Sequence, residues 1–145
     1  MRSSLSPSLR ASAPRVRTRR GAEAPSKRRG IRLLGPNCLG FMNFTQNAIA
    51  WTTPIEAPSR AHGVAIVSQS GATAHFLANL AHQQDVGLSH VISTGNEADL
   101  DITSFIDCLI EEPQARAIAI FAETVREPER FLRVAARALK ALKLS

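Results

Sequence analysis

The chain has 145 residues, of which 44% are apolar and 5% aromatic, enough for about one globular core. Its net charge of +6 is unevenly spread: residues 1–30 carry nine Lys or Arg and one acid, while the remainder carries nine and eleven, so the basic pI belongs to the tail. A slightly acidic, aromatic-poor domain behind a basic tail argues against specific nucleic-acid recognition, and no apolar run approaches the ~20 residues that cross a bilayer.

Residues 1–30 are rich in Ser, Arg, Ala and Pro, with no sustained hydrophobic period, and are expected to be disordered. Three readings stay open for this segment: a solvated arm, an organelle transit peptide, or residues read from a wrong start or frame. Pro7, Pro14 and Pro25 interrupt any long amphipathic helix there. Two cysteines, Cys38 and Cys108, suggest neither a disulfide framework nor a metal motif, so a reducing, cytoplasmic compartment is the default expectation.

From Ile31 the texture changes. Ile31 to Leu34 reads as a short strand, stopped by Gly35-Pro36 and the turn Asn37-Cys38, with an extended loop to about residue 61. Val64 to Val67 reads as a strand ending at Ser68-Gln69-Ser70-Gly71, where a helix to about Gln84 begins. Leu88 to Ser93 is a second such strand, followed by the turn Thr94 to Asp99; Asp99 or Asp101 can cap the next helix, which runs to Ile110. Ala115 to Ala122 is a third strand ending at Glu123, and an amphipathic helix from about Glu129 to Lys143 follows.

Alternating units with continuously apolar strands predict a three-layer α/β/α fold around a parallel sheet, flavodoxin-like. Ligands of such sheets bind beyond the carboxyl ends of the strands, which here carry the polar clusters of the chain. At the first of these, the leading amides of a helix lack intrahelical partners and their aligned dipoles favour an anion. A plain capped turn is the bland alternative at Ser68, Ser70 and Gly71. Ser70 also sits where a nucleophile elbow would place its serine, but that chemistry needs a histidine after the acid, and none follows Glu123. The loop Gly95-Asn96-Glu97-Ala98-Asp99 resembles a hard-cation site only weakly, and no metal is expected. His75 and His82 share a helical face without the spacing of a zinc site. Glu123 could polarise or orient an imidazole.

Taken together, the blocks IRLLGPNCLGFMN, GVAIVSQSGATA, GLSHVISTGNEADLDITSFIDCLIEEP and AIAIFAETV resemble the nucleoside-diphosphate-forming acyl-CoA synthetases. That superfamily includes the α subunit of succinyl-CoA synthetase and the ADP-forming acetyl-CoA synthetases, and a similar module occurs in protein acetyltransferases. The resemblance covers residues 31 to about 143. It implies that Asn37 and Cys38 lie at the exit of a CoA-binding domain, near the acyl-CoA reaction centre. It further implies that Ser68, Gln69, Ser70 and Gly71 cradle the phosphate of a phosphohistidine, that Glu123 orients the histidine ring, and that Gly95 and Asn96 line the same site. CoA, ADP or ATP, Mg, acyl-CoA and phosphate, and an ATP-grasp subunit or domain, come with it. By this reading residues 1–30 are a tail, 31–61 the remnant of a CoA-binding domain with its linker, and 62–145 a truncated flavodoxin-like ligase domain. A synthetase fragment inactive alone is then expected, with tight binding of none of these molecules and an uncovered sheet edge that favours self-association. The alternative is a non-catalytic acyl-CoA-ligase-like or partner-binding module.

Overall fold

The computed structural model describes residues 31–141, so the expectations for the basic tail and for the last helical residues lie outside it. Five strands form one sheet, β1 (Gly40–Asn43), β2 (Ala48–Trp51), β3 (Gly63–Ser68), β4 (Leu88–Ser93) and β5 (Ala115–Phe121), in the order β2-β1-β4-β3-β5. Three helices connect or follow them: α1 (Gly71–Gln83), α2 (Ile102–Leu109) and α3 (Pro128–Ala141). None of these is long and apolar enough to cross a membrane.

The parallel core β4-β3-β5 agrees with the sequence reading, and the fold is α/β and flavodoxin-like. Two expectations are corrected. Residues 31–39 form no strand, and the segment read as a loop up to residue 61 contains the β1-β2 hairpin, so the sheet is mixed rather than parallel. Four-residue strands with a turn between them show little period-2 signal, and their pairing is decided by neighbours. Asn43 closes the turn, its Oδ1 accepting from Thr45 Oγ1 at 2.7 Å and from the Gln46 amide at 3.0 Å. Gly40 is required where β1 meets β2: at φ +112°, an added Cβ would lie 1.9 Å from the Ala50 carbonyl oxygen.

Strand alternation distributes the core to both faces. Ala65, Val67 and Ile92 pack with Ile102, Ile106, Leu109 and Val134 under α2 and α3. On the other face Met42, Ile66, Leu88 and Val91 pack against Ala74 and Ala78 of α1. Leu88 and Val91 share that face because Val64 pairs Leu88 while Ala65 pairs His90, leaving one extra residue in β4, a bulge.

This topology positions the candidate site. The parallel strands end together at Ser68, Ser93 and Phe121. Because β1 runs antiparallel to β4 with Gly40 opposite Ser93, the chain entering β1 arrives at that same rim. The Gly35-to-Leu39 turn is delivered there by the hairpin, not by a strand of its own.

Candidate functional site

Beyond the strand ends lies a cleft of about 650 Å³ lined by Asn37, Cys38, Gln69, Ser70, Gly71, Gly95, Asn96 and Glu123, together with Leu39, Ala72, Glu97, Thr124 and Arg126. Every residue that the family resemblance assigns to the site therefore lines one cavity, apart from Ser68. Ser68 is wholly buried beneath it: its hydroxyl donates to the Ser70 carbonyl at 2.7 Å and accepts from the Ser70 amide at 3.1 Å, bending the chain into the helix.

Ser70 is the N-cap of α1, and its Oγ accepts from the Thr73 amide at 3.2 Å and from Thr73 Oγ1 at 3.0 Å. Its own hydroxyl proton is left to donate. The amides of Gly71 and Ala72 have no acceptor among the described residues, as the first amides of a helix must unless something outside it accepts from them. Gly71 lets Leu39 close against the helix start, since a Cβ would sit 2.7 Å from Leu39 Cγ.

The loop after β4 is tied down on all sides. Glu97, only 3% exposed, accepts through Oε1 from Thr94 Oγ1 and from the Ile102 amide, both at 2.9 Å, so that it caps α2. The Asp99 carboxylate receives the Arg32 guanidinium through two bonds and the Leu33 amide at 2.9 Å. Backbone bonds from Asn96 to Pro36 and from Ala98 to Gly35 complete the seam between the two loops. Gly95, at φ +59°, has no room for a side chain, because a Cβ would lie 2.4 Å from the Pro36 carbonyl oxygen. Asp101 caps α2 as well. Burial would raise its pKa, but the Ser104 hydroxyl and amide and the Arg130 guanidinium outweigh that and hold it below the usual carboxylate value.

The end of β5 is held differently. The Gln69 amide nitrogen donates to the Phe121 carbonyl at 3.0 Å, while its Oε1 accepts from the Glu123 and Thr124 amides at 2.7 and 2.9 Å and its Nε2 donates to the Thr124 carbonyl at 2.8 Å. Glu123 itself is exposed at the cleft.

A family model, the succinyl-CoA ligase like flavodoxin domain, matches residues 61–144. The chain belongs to that family. It is 35% identical over 111 residues to the α subunit of an ADP-forming acetate–CoA ligase II of Pyrococcus furiosus, which covers 77% of this chain and 24% of the relative. Crystal structure PH0766 of Pyrococcus horikoshii OT3 superposes with a TM-score of 0.75 at 34% identity, over 82% of this chain and 27% of that one. The dinucleotide-forming acetyl-coenzyme A synthetase 1 of Ca. Korarchaeum cryptofilum, solved in complex with phosphate and ADP, gives 0.73 at 30% identity over 79% and 25%. The chain thus spans about a quarter of these relatives.

Within this ligase-like domain, sequence reasoning missed Arg126. Its guanidinium lines the cleft and reaches the Asn96 carbonyl at 3.5 Å, whereas Arg130 and Arg137 on α3 are each paired with carboxylates. The signal available was a cation three residues beyond a strand-end acid. None of the domain's histidines lines the cleft. His75 meets Thr53, His82 meets Glu56 and the Ala57 carbonyl, and His90 is buried in β4 with Nδ1 unpartnered, where burial lowers its pKa. The described residues contain no group of three or more His, Cys, Asp and Glu side chains that could hold a metal ion.

Proposed function

We propose that this domain supplies the phosphoryl-binding half of an NDP-forming acyl-CoA synthetase active site. The observation that carries the reading is the shared cleft: the start of α1, with the unpaired Gly71 and Ala72 amides, opens onto the same space as Glu123 and Arg126.

Phosphoryl transfer asks mainly for positioning and for stabilisation of negative oxygens. The two amides and the Ser70 hydroxyl donate to phosphoryl oxygens, aided by the helix dipole, and Arg126 adds an exposed cation. Glu123 accepts the N–H of an imidazole and leaves its other nitrogen free to take the phosphoryl group. The histidine comes from outside the described residues, because none of those within them lines the cleft. Gln69 belongs to this assembly as a residue of the cradle turn, Ser68 as its support. Asn37 and Cys38, with Gly95 and Asn96, form the wall that faces acyl-CoA. Residues 31–61 act as the passage from a CoA-binding part and residues 62–145 as the ligase domain proper. ADP or ATP reaches the site through an ATP-grasp subunit or domain, and the chain alone does not turn over acyl-CoA.

The test is amide NMR of the protein titrated with inorganic phosphate. The Gly71 and Ala72 resonances are expected to move saturably, and Arg126→Ala to weaken that response roughly five-fold, since bonds to a charged group at an exposed site are worth on the order of 1 kcal/mol. Titration that leaves both amides unmoved overturns the reading.

A further inference from the structure

We infer that Gln69 is the positioning residue for Glu123, fixing where that carboxylate stands relative to the phosphoryl cradle. The inference rests on the reading of Glu123 as the acceptor of an imidazole N–H. After Phe121 the chain leaves the sheet, and the peptide groups of residues 122–125 have no strand beside them. Among the described residues the backbone from 122 to 125 is held by the Gln69 side chain alone. One amide group takes both N–H groups of the Glu123–Thr124 pair on its oxygen, using both acceptor lone pairs, and returns a hydrogen bond to Thr124.

The main chain of the same residue runs directly into Ser70 and Gly71. Gln69 therefore spans the two halves of the site: its backbone opens the cradle, and its side chain carries the acid. A group that orients a catalytic imidazole has to be placed to a few tenths of an ångström, and a strand-end acid on an otherwise untethered segment does not meet that demand by itself. The competing role is direct ligation of the phosphoryl group by the second Nε2 hydrogen.

Gln69→Ala and Gln69→Glu separate the two roles; Gln69→Glu keeps the oxygen that accepts from Glu123 and Thr124. The full chain is titrated with inorganic phosphate, read at the Gly71 and Ala72 amides, and with imidazole, read at the Glu123 carboxyl carbon. Gln69→Ala is expected to weaken the imidazole response roughly five-fold or more, the scale of a lost hydrogen-bond alignment, and to weaken phosphate affinity by a clearly smaller factor. Gln69→Glu is expected to restore the Glu123 and Thr124 amide shifts and most of the imidazole response. A role confined to strand-end stability would move the melting temperature and leave the imidazole response unchanged, which overturns the proposal. So does a Gln69→Ala variant that loses phosphate affinity and keeps the imidazole response. Wild-type protein whose Glu123 carbon ignores imidazole defeats the reading of Glu123 itself, and the Gln69 proposal with it; a normal wild-type response matched by Gln69→Ala defeats the Gln69 proposal alone.

Discussion

Two strand ends meet at the cleft, and they are built on opposite plans. After β4 the chain is sealed: Glu97 and Asp99 carry nearly buried carboxylates that accept bonds from the surrounding chain, Gly95 packs against the Pro36 carbonyl, and the whole loop is stitched to residues 32–36. After β5 the chain is open, with Glu123 and Arg126 exposed and one glutamine holding the backbone. A buried acid that accepts bonds from a helix amide and a neighbouring hydroxyl is expensive to disturb, whereas an exposed acid on a tethered backbone can engage a ligand without breaking the fold. The first end is built as scaffold, and the second is where the proposed chemistry stands.

The sharpest break in that contrast is Gly95→Ala, which forces a side chain onto a positive φ and into backbone carbonyls that cannot yield; a loss on the order of 3 kcal/mol is expected in urea unfolding. Glu97→Ala should follow at about 2 kcal/mol, because the Ile102 amide and Thr94 hydroxyl are left without their acceptor. Ser70→Ala removes the α1 cap for about 1 kcal/mol and one phosphate donor besides. At the open end, Glu123→Gln should change stability by less than about 0.5 kcal/mol while abolishing the imidazole response; a stability loss equal to that of Glu97→Ala would erase the distinction.

Acid unfolding sharpens the comparison from another side. The folded pKa of Asp101 lies below its ordinary value of 3.8, so the unfolded chain binds the extra proton first. Its contribution is complete above about pH 3.8 and is lost as pH falls through the lower, folded value. Asp101→Asn should flatten the stability curve in that acid window, measured by urea midpoints against pH, and leave the slope near neutrality alone.

Much of this arrangement was legible in the residues. Val64 to Val67, Leu88 to Ser93 and Ala115 to Ala122 read as strands bounded by polar turns, and burial on both sheet faces explains why β3 and β4 carry no alternation, whereas β5 at the sheet edge is mostly half-buried or exposed. A cap at Asp99 or Asp101 and Ser70 at the start of α1 could be read locally, since capping is a local event, and the structure settles on Asp101 while Asp99 binds Arg32 and the Leu33 amide. The hairpin of β1 and β2 could not, because its pairing depends on the free edge of β4 rather than on its own pattern. Ser68 was legible as a polar residue at a strand end, but not as one turned inward to fold the loop. Nor was the glutamine legible as a clamp, since its partners lie more than fifty positions away.

Local chemistry determined the strands, the helix caps and the polar character of the rim, because periodicity and capping act within a few residues of one another. Tertiary structure decided which polar residues would face the cleft and which would be consumed in building it. A donor or acceptor becomes a ligand group only if no neighbour satisfies it first, and the neighbours are set by the packing of distant segments.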